Sequence, residues 1–177
     1  MWNYGWRKAR GRGQSVIELA VAAPLLTLML FGIVDFGRAF FQYIAVVESA
    51  REGARYATYG FSNLTNAGTP AQDTIQGRIK LADGGLNIPN NTTHIQITYY
   101  DTTVSPAKQC AHYDYPTNSI KWDAPYTAPT TGQQKCPKEG DAVVIKVTSD
   151  FVPITPLMRG LIGNPLGLVY TSQARIE

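Results

Sequence analysis

The longest apolar run in the chain lies near its N-terminus, at residues 16–34 (VIELAVAAPLLTLMLFGIV). These 19 residues contain one charged side chain, Glu18. As a helix that rises 1.5 Å per residue, the run spans about 28 Å, close to the roughly 30 Å hydrocarbon core of a bilayer. Four basic residues and no acidic residue precede it: Arg7, Lys8, Arg10 and Arg12. Because such bases hold an N-terminus in the cytoplasm, the pattern predicts a membrane-spanning helix with the rest of the chain outside.

Two other interpretations explain this apolar run less well. A buried helix of a soluble core is usually shorter and rarely follows uncompensated bases. A cleaved secretory signal has an apolar region of about 7–15 residues and then a small-x-small cleavage site. Here the run is longer and is followed by DFGR at 35–38. We therefore expect the mature protein to retain the segment.

A second apolar pattern continues the helix beyond the span. Apolar residues at alternating spacings of four and three form an a/d seam, the pattern of helices that pack on one another. The seam consists of Phe36, Phe40, Tyr43, Val47, Ala50, Ala54 and Ala57. Its change from aromatic residues to alanine would let the C-terminal half approach a partner backbone closely. The alternative, for part of the seam, is packing on the chain's own sheet.

These two patterns together predict one long helix over residues 14–59, with Gly60 as its stop. Pro24 removes a backbone hydrogen bond, so we expect a kink near residues 20–23. Pairs three residues apart, Glu48 with Arg51 and Glu52 with Arg55, are placed to stabilise the helix surface.

The remaining residues, 60–177, predict a small α+β domain. Residues 61–71 have the composition of a loop, and 72–81 have that of a short helix ended by the glycines at 84–85. Apolar and polar residues then alternate in three segments, as in half-buried antiparallel strands: 94–100, 142–148 and 168–176. One apolar sheet face would cover the second half of the long helix. Prolines confine the stretch between the last two strands to a non-strand connector: Pro153, Pro156 and Pro165.

Both cysteines, Cys110 and Cys136, lie in the long segment between the first two predicted strands. We interpret this segment as an ordered Ω-type loop. If the domain is exported, a disulfide between them would close about 27 residues and stabilise the fold by roughly 3–4 kcal/mol. Two unlinked thiols are the alternative.

The charge distribution and the motif content argue against several classes of function. Without residues 1–13, 12 of the 16 basic residues remain against all 13 acidic ones, which gives no basis for nucleic-acid binding. The two histidines, His94 and His112, are far apart in sequence, and each is interpreted as hydrogen-bonded or solvent-facing. No catalytic, phosphate-binding or metal motif occurs. We expect no enzyme activity, catalytic residue, metal, cofactor or small-molecule substrate.

Glu18 requires an explanation, because a carboxylate in an apolar run is costly unless it is paired or lies at headgroup depth. Gly13, Gln14 and Glu18 follow the basic leader in the order glycine, four residues, glutamate. This resembles the processing site of type IV pilins, in which a prepilin peptidase cuts after the glycine. The resemblance implies that Glu18 then meets the new N-terminal ammonium of a neighbouring subunit. In low dielectric each charge relieves the other's desolvation, so the pair specifies register between helices.

The following residues resemble the TadE-like family, the minor pilin-like proteins of tight-adherence (Flp) pili. Its typical patterns are E-x-A-x-x-x-P-x-L, then G-x-x-D-x-G-R, then A-R-x-G-A-R-x-A. The matching residues are Glu18, Ala20, Pro24 and Leu26; then Gly32, Asp35, Gly37 and Arg38; then the segment at 50–57 (AREGARYA). The end of the chain, 141–177, is also similar. Major Flp pilins are far shorter and carry Glu-Tyr where this chain has Glu18 followed by Leu19, which favours a minor pseudopilin.

The resemblance implies a pilin-like fold in three parts: a basic cytoplasmic leader (1–13), a transmembrane and assembly helix (14–59) and an outer domain (60–177). The implied partners are the membrane, a prepilin peptidase and other pilins or pseudopilins. The implied location is the bacterial cytoplasmic membrane, crossed once with the N-terminus inside, and incorporation into a surface pilus with a part in adhesion would follow. An unprocessed single-pass protein that displays a ligand-binding outer domain is the alternative.

Overall fold

The computed structural model describes residues 12–59, 74–126, 136–163 and 165–177. Within these ranges the architecture is α+β, as predicted. In chain order the elements are α1 (Arg12–Ala57), α2 (Ile75–Leu81), β1 (Ile95–Asp101), β2 (Lys108–Asp114), β3 (Ser119–Trp122), β4 (Ala142–Phe151), α3 (Pro156–Ile162) and β5 (Leu166–Arg175). Most of the leader at 1–13, the loop predicted at 61–71 and the domain boundary predicted at residue 60 lie outside the described residues.

The long N-terminal helix is confirmed as α1, 46 residues in length. At 1.5 Å per residue it extends about 69 Å, more than twice the hydrocarbon thickness of a bilayer. Both predicted surface pairs form: Arg51 lies 3.4 Å from Glu48, and Arg55 lies 2.8 Å from Glu52. Pro24 lies inside the helix, and the kink expected there stays a prediction.

Five antiparallel strands form one sheet in the order β3-β2-β1-β4-β5. The three strands that alternation predicted are β1, β4 and β5. On the two central strands the alternating apolar residues are direct partners and are buried: Ile95 with Val147, Ile97 with Ile145, and Tyr99 with Val143. Period-two burial therefore produces one apolar sheet face, as expected.

The second half of α1 covers this face, as predicted. Its residues in the hydrophobic core are Val46, Ala50, Ala54 and Ala57. The closest approach occurs at Gly53, where an added Cβ would lie 2.5 Å from Cγ1 of Ile79 on α2 and 3.2 Å from Cδ1 of Ile145 on β4. Only glycine lets the helix, α2 and the sheet meet at this distance, which explains its place in the A-R-x-G-A-R pattern.

The segment between the first two predicted strands is not the single Ω-type loop that we expected. It contains β2 and β3, which extend the sheet beyond β1. Their alternation is short and is obscured by Cys110 and Ala111, which are adjacent and both buried. The predicted disulfide is confirmed: Cys110 on β2 is bonded to Cys136, with Cα atoms 6.2 Å apart.

Two short helices complete the described structure. The helix predicted at 72–81 is observed as α2, whose N-cap Thr74 accepts a hydrogen bond from the amide of Gly77 at 3.1 Å. The proline-rich connector after β4 is indeed not a strand, but it contains α3, which the sequence did not predict. Pro156 is its first residue, a position where a missing N–H costs nothing.

Candidate assembly helix and its junction with the outer domain

Apolar side chains cover the first half of α1 and face away from the chain's own core. At least 45% of each of these large side chains is exposed: Val16, Ile17, Leu19, Val21, Leu25, Leu26, Leu28, Met29, Leu30, Phe31, Ile33 and Val34. None of the most apolar part of the helix is buried within the described structure. A buried core helix would be covered, so that interpretation does not describe this segment. In length and composition the helix is able to cross a membrane.

The residues of the predicted processing site lie at the N-terminal end of α1. Among the described residues, a Cβ built on Gly13 would meet no heavy atom within 4 Å other than its neighbours in the helix. One turn separates Gln14 from Glu18, whose carboxylate accepts a hydrogen bond from the Gln14 side-chain amide at 3.4 Å. Both side chains are exposed. The three residues thus lie together at one accessible end of the helix, and their role in processing stays a prediction.

The predicted seam divides into two parts. Phe36, Phe40 and Tyr43 are 71%, 56% and 40% exposed, and the first two rings stack with centroids 6.4 Å apart. By contrast, Ala50 and Ala54 are enclosed in the chain's own core at 0% and 2% exposure, and Val47 is half-buried between the two groups. The alanines thus have no surface to offer a partner helix, and the alternative of packing on the chain's own sheet describes them.

Asp35 joins the helix to the outer domain. Its carboxylate accepts hydrogen bonds from the amide of Ile154 at 2.9 Å and from the amide and hydroxyl of Thr155 at 3.0 and 2.5 Å. The side chain is only 3% exposed, and Arg38 lies 3.5 Å from it. A buried carboxylate with three donors is a strong attachment, because hydrogen bonds to charged groups exceed neutral ones in strength.

Further contacts continue this junction along α1. Gln42 donates to the hydroxyl of Ser149 at 2.7 Å and to the carbonyl of Asp150 at 3.1 Å. The Arg38 guanidinium lies 5.6 Å from the centre of the Phe151 ring, within the range of cation–π attraction. The end of β4 and the connector after it therefore run alongside α1 from Gln42 towards the apolar half.

Sequence reasoning had identified Asp35 and Arg38 through the G-x-x-D-x-G-R pattern but assigned neither a partner. The available signal was a carboxylate directly after an apolar run, where an ionised group needs donors. Its donors lie about 120 residues away, beyond the reach of a local pattern. The two glycines of the pattern, Gly32 and Gly37, have no heavy atom within 4 Å of a built Cβ.

Two carboxylates of the outer domain, Asp101 and Asp141, are held by structural contacts. At one end of β1, Asp101 accepts hydrogen bonds from Thr103 and, at 3.0 Å, from the Tyr126 hydroxyl. The Thr103 hydroxyl in particular holds the pKa of Asp101 below its ordinary value. Nearby Asp141 accepts the Lys138 amide at 2.9 Å, and burial raises its pKa.

Each histidine has hydrogen-bond partners, in agreement with its sequence interpretation. His94 lies 2.9 Å from Asn91 and 3.2 Å from Asp150, and His112 lies 3.1 Å from Asp123. Across residues 12–59, 74–126, 136–163 and 165–177, no group of three His, Cys, Asp or Glu side chains is arranged to hold a metal ion.

Comparison with known proteins finds a similarity to one family within the N-terminal helix. The model of the family described as TadE-like protein matches residues 13–55, which begin at the candidate processing glycine and run nearly to the end of α1. The similarity noted at 141–177 lies outside this match. Neither the curated proteins nor the solved structures include a significant match to the chain. Over residues 13–55, the chain is therefore similar to the TadE-like protein family.

Proposed function

We propose that this chain is a minor pilin-like component of a tight-adherence pilus, cut after Gly13 and assembled through α1. The observation that carries the proposal is the family match over 13–55, which coincides with a helix whose apolar half is left uncovered by the chain itself. The proposal makes the chain a structural component and not an enzyme.

Its topology follows from the charge pattern. Four bases precede the span, so the leader stays in the cytoplasm and the prepilin peptidase cuts there. The outer domain, with its Cys110–Cys136 disulfide, lies outside, where disulfides form and persist.

Assembly with other pilins uses two parts of α1. After cleavage, Glu18 pairs with the new N-terminal ammonium of a neighbouring subunit, which removes the desolvation cost of both charges. The exposed rings of Phe36, Phe40 and Tyr43 lie at and beyond the outer edge of a hydrocarbon core that begins near residue 16. Exposed apolar patches of this kind mark interaction sites, and the helix of another pilin subunit would cover them.

Intact-mass measurement of the protein from membranes of the native host tests processing. We expect a mature chain that begins at Gln14, and Gly13→Val should leave Met1 in place. Gly11→Val is the matched control and should still be cut. A wild-type chain that retains Met1 would contradict processing and favour the unprocessed single-pass display protein, especially if deletion leaves pili intact. A chain that begins after residue 34 would make the helix a discarded signal.

Assembly is tested separately with Glu18→Gln. This variant should be cut normally but should lose cross-linking to neighbouring pilins, since the neutral amide no longer pairs with the ammonium. Glu48→Gln changes an exposed carboxylate that pairs with Arg51 on the same helix, and it should assemble as wild type. Equal loss in both variants would argue against a specific role for Glu18.

A further inference from the structure

Strands β4 and β5 are joined by a segment that extends beyond the end of the sheet. The last strand pair is Phe151 with Leu166, and we call residues 152–163, which follow β4, the β4–β5 excursion; residue 164 is not described. Its position along α1 is set by the contacts already given: Ser149 lies beside Gln42, Phe151 beside Arg38, and Thr155 beside Asp35. From Gln42 to Asp35 the chain moves about 10 Å along the helix towards its apolar half.

The excursion then continues beside the apolar half of α1. Thr155, Pro156 and Met158 line one open apolar groove together with residues of α1 that include Ala20, Leu28 and Phe36. The excursion therefore borders a groove that continues along residues of α1 that we place in the membrane.

Three apolar side chains of the excursion are exposed. Val152 is 44% exposed, Ile154 55% and Ile162 41%. Arg159 is the one charged residue in this stretch of sequence, VPITPLMRGLIG. Its Nε donates to the carbonyl of Pro153 at 2.7 Å, and the side chain is long enough to extend towards lipid headgroups.

Two non-helical amides of the excursion have the acceptors that a low-dielectric environment demands. Non-helical N–H groups at membrane depth need acceptors within the protein. Asp35 supplies them for Ile154 and Thr155, and the amide of Arg159 donates to the carbonyl of Thr155 at 3.2 Å inside α3. These contacts would be unnecessary for amides in open water.

We propose that the β4–β5 excursion inserts into the outer leaflet of the membrane that α1 spans, so that α3 is a second, shallow membrane contact. The occupant of the groove is lipid, because the apolar surface of the excursion is continuous with that of the span. The inference rests on the membrane anchoring proposed above. It would hold the outer domain at a fixed height and rotation about α1 before assembly.

Depth-dependent fluorescence quenching on the full chain in vesicles tests this. A single cysteine carrying an environment-sensitive fluorophore is introduced as Met158→Cys, with Leu28→Cys as a control inside the span and Lys121→Cys as a control on β3. Vesicles contain either unlabelled lipid or lipid brominated on its acyl chains, and iodide is the aqueous quencher. A high lipid-to-protein ratio keeps copies of the chain apart.

We expect brominated lipid to quench the label at 158, iodide to quench it several-fold less than the label at 121, and the label at 28 to be the deepest. If iodide reaches 158 as readily as 121 while 28 stays protected, the excursion is not in the membrane although the anchor stands. If iodide also quenches the label at 28, the proposed membrane anchoring through α1 is itself refuted. Protection of 158 from both quenchers would mean that protein, not lipid, fills the groove. Ile162→Cys repeats the measurement should Met158→Cys fail to fold.

Discussion

The carboxylate of Asp35 on α1 accepts hydrogen bonds from both the amide and the hydroxyl of Thr155, at 3.0 and 2.5 Å. Asp35 directly follows the apolar run, and Thr155 is the N-cap residue of α3. One side chain thus attaches the outer domain to the helix at the point where the helix would leave the membrane.

Replacing this carboxylate should loosen the junction. In Asp35→Asn the charge is lost, and an NH₂ group that cannot accept replaces one of the two oxygens, so the amides of Ile154 and Thr155 no longer both keep an acceptor. Because hydrogen bonds to a charged group contribute roughly 1.5–3 kcal/mol each, we expect the amides at 154 and 155 to exchange hydrogen much faster while the sheet keeps its protection. Arg38→Gln, which leaves all three donors in place, is the control. Unchanged exchange at 154 and 155 would contradict the assigned role of Asp35.

Gly53 should not tolerate even one added methyl group. Its Cβ would lie 2.5 Å from Cγ1 of Ile79, and overpacking of this kind costs about 1–3 kcal/mol. That exceeds the gain of up to about 1 kcal/mol in helix propensity. Denaturant unfolding should therefore show Gly53→Ala to be less stable than wild type.

The matched control is Gly37→Ala, which has open space around its Cβ and should be neutral or slightly stabilising. Ile79→Ala should cost less in the Gly53→Ala background than alone, because it relieves the clash. Additive effects of the two substitutions would exclude a direct contact.

The Cys110–Cys136 disulfide should account for a large share of the stability of the outer domain. Both sulfur-bearing residues are buried, at 0% and 1% exposure, so alanine is the suitable replacement. Removing a cross-link over about 27 residues lowers the free energy of unfolding by roughly 3–4 kcal/mol. Reductant should destabilise the wild type and leave the double variant Cys110→Ala, Cys136→Ala unaffected. An equal response of both proteins to reductant would refute the prediction.

Acid should lower the free energy of unfolding of the outer domain, partly through protonation of Asp101. Its folded pKa lies below the ordinary value of 3.8, so the unfolded chain binds the proton more readily. The stabilisation is present above pH 3.8 and is lost as the pH falls through the lower folded pKa. Asp101→Asn should flatten the decline of unfolding free energy between about pH 5 and pH 2.

Asp141 should change the acid stability in the opposite direction to Asp101, because burial raises the pKa of Asp141. The folded state takes up this proton first, so acidification through the folded pKa of Asp141 adds stability. Asp141→Asn removes that gain and should make the acid decline steeper than in the wild type. Identical slopes in the two variants would contradict both assignments.

The exposed rings above the span should matter for assembly and not for folding. Phe40 is 56% exposed, so Phe40→Ser should leave unfolding free energy nearly unchanged and reduce cross-linking between pilin subunits. Val104→Ser alters a similarly exposed residue, at 43%, on the outer domain and should assemble normally. If Phe40→Ser assembles as wild type, the aromatic part of the seam is not the interface.

Local patterns in the sequence determined the elements with strong periodicity. The apolar run and the four-three seam specify α1, because the short spacing between apolar positions is enough to indicate a helix. Alternation specifies β1, β4 and β5 for the same reason. The processing residues Gly13, Gln14 and Glu18 lie within six positions, and their motif needs no tertiary information.

The tertiary structure alone decided which partner each surface has. It placed Ala50 and Ala54 of the seam in the chain's own core and left Phe36 and Phe40 outside, because the buried apolar residues of α1 begin only at Ala45. Pairing on the β1 side of the sheet adds β2 and β3, although the alternation within these two segments is too short to predict strands. The contact of Asp35 with Thr155 joins residues 120 positions apart, and contacts at that separation arise from the packing of the whole chain, which no local repeat encodes.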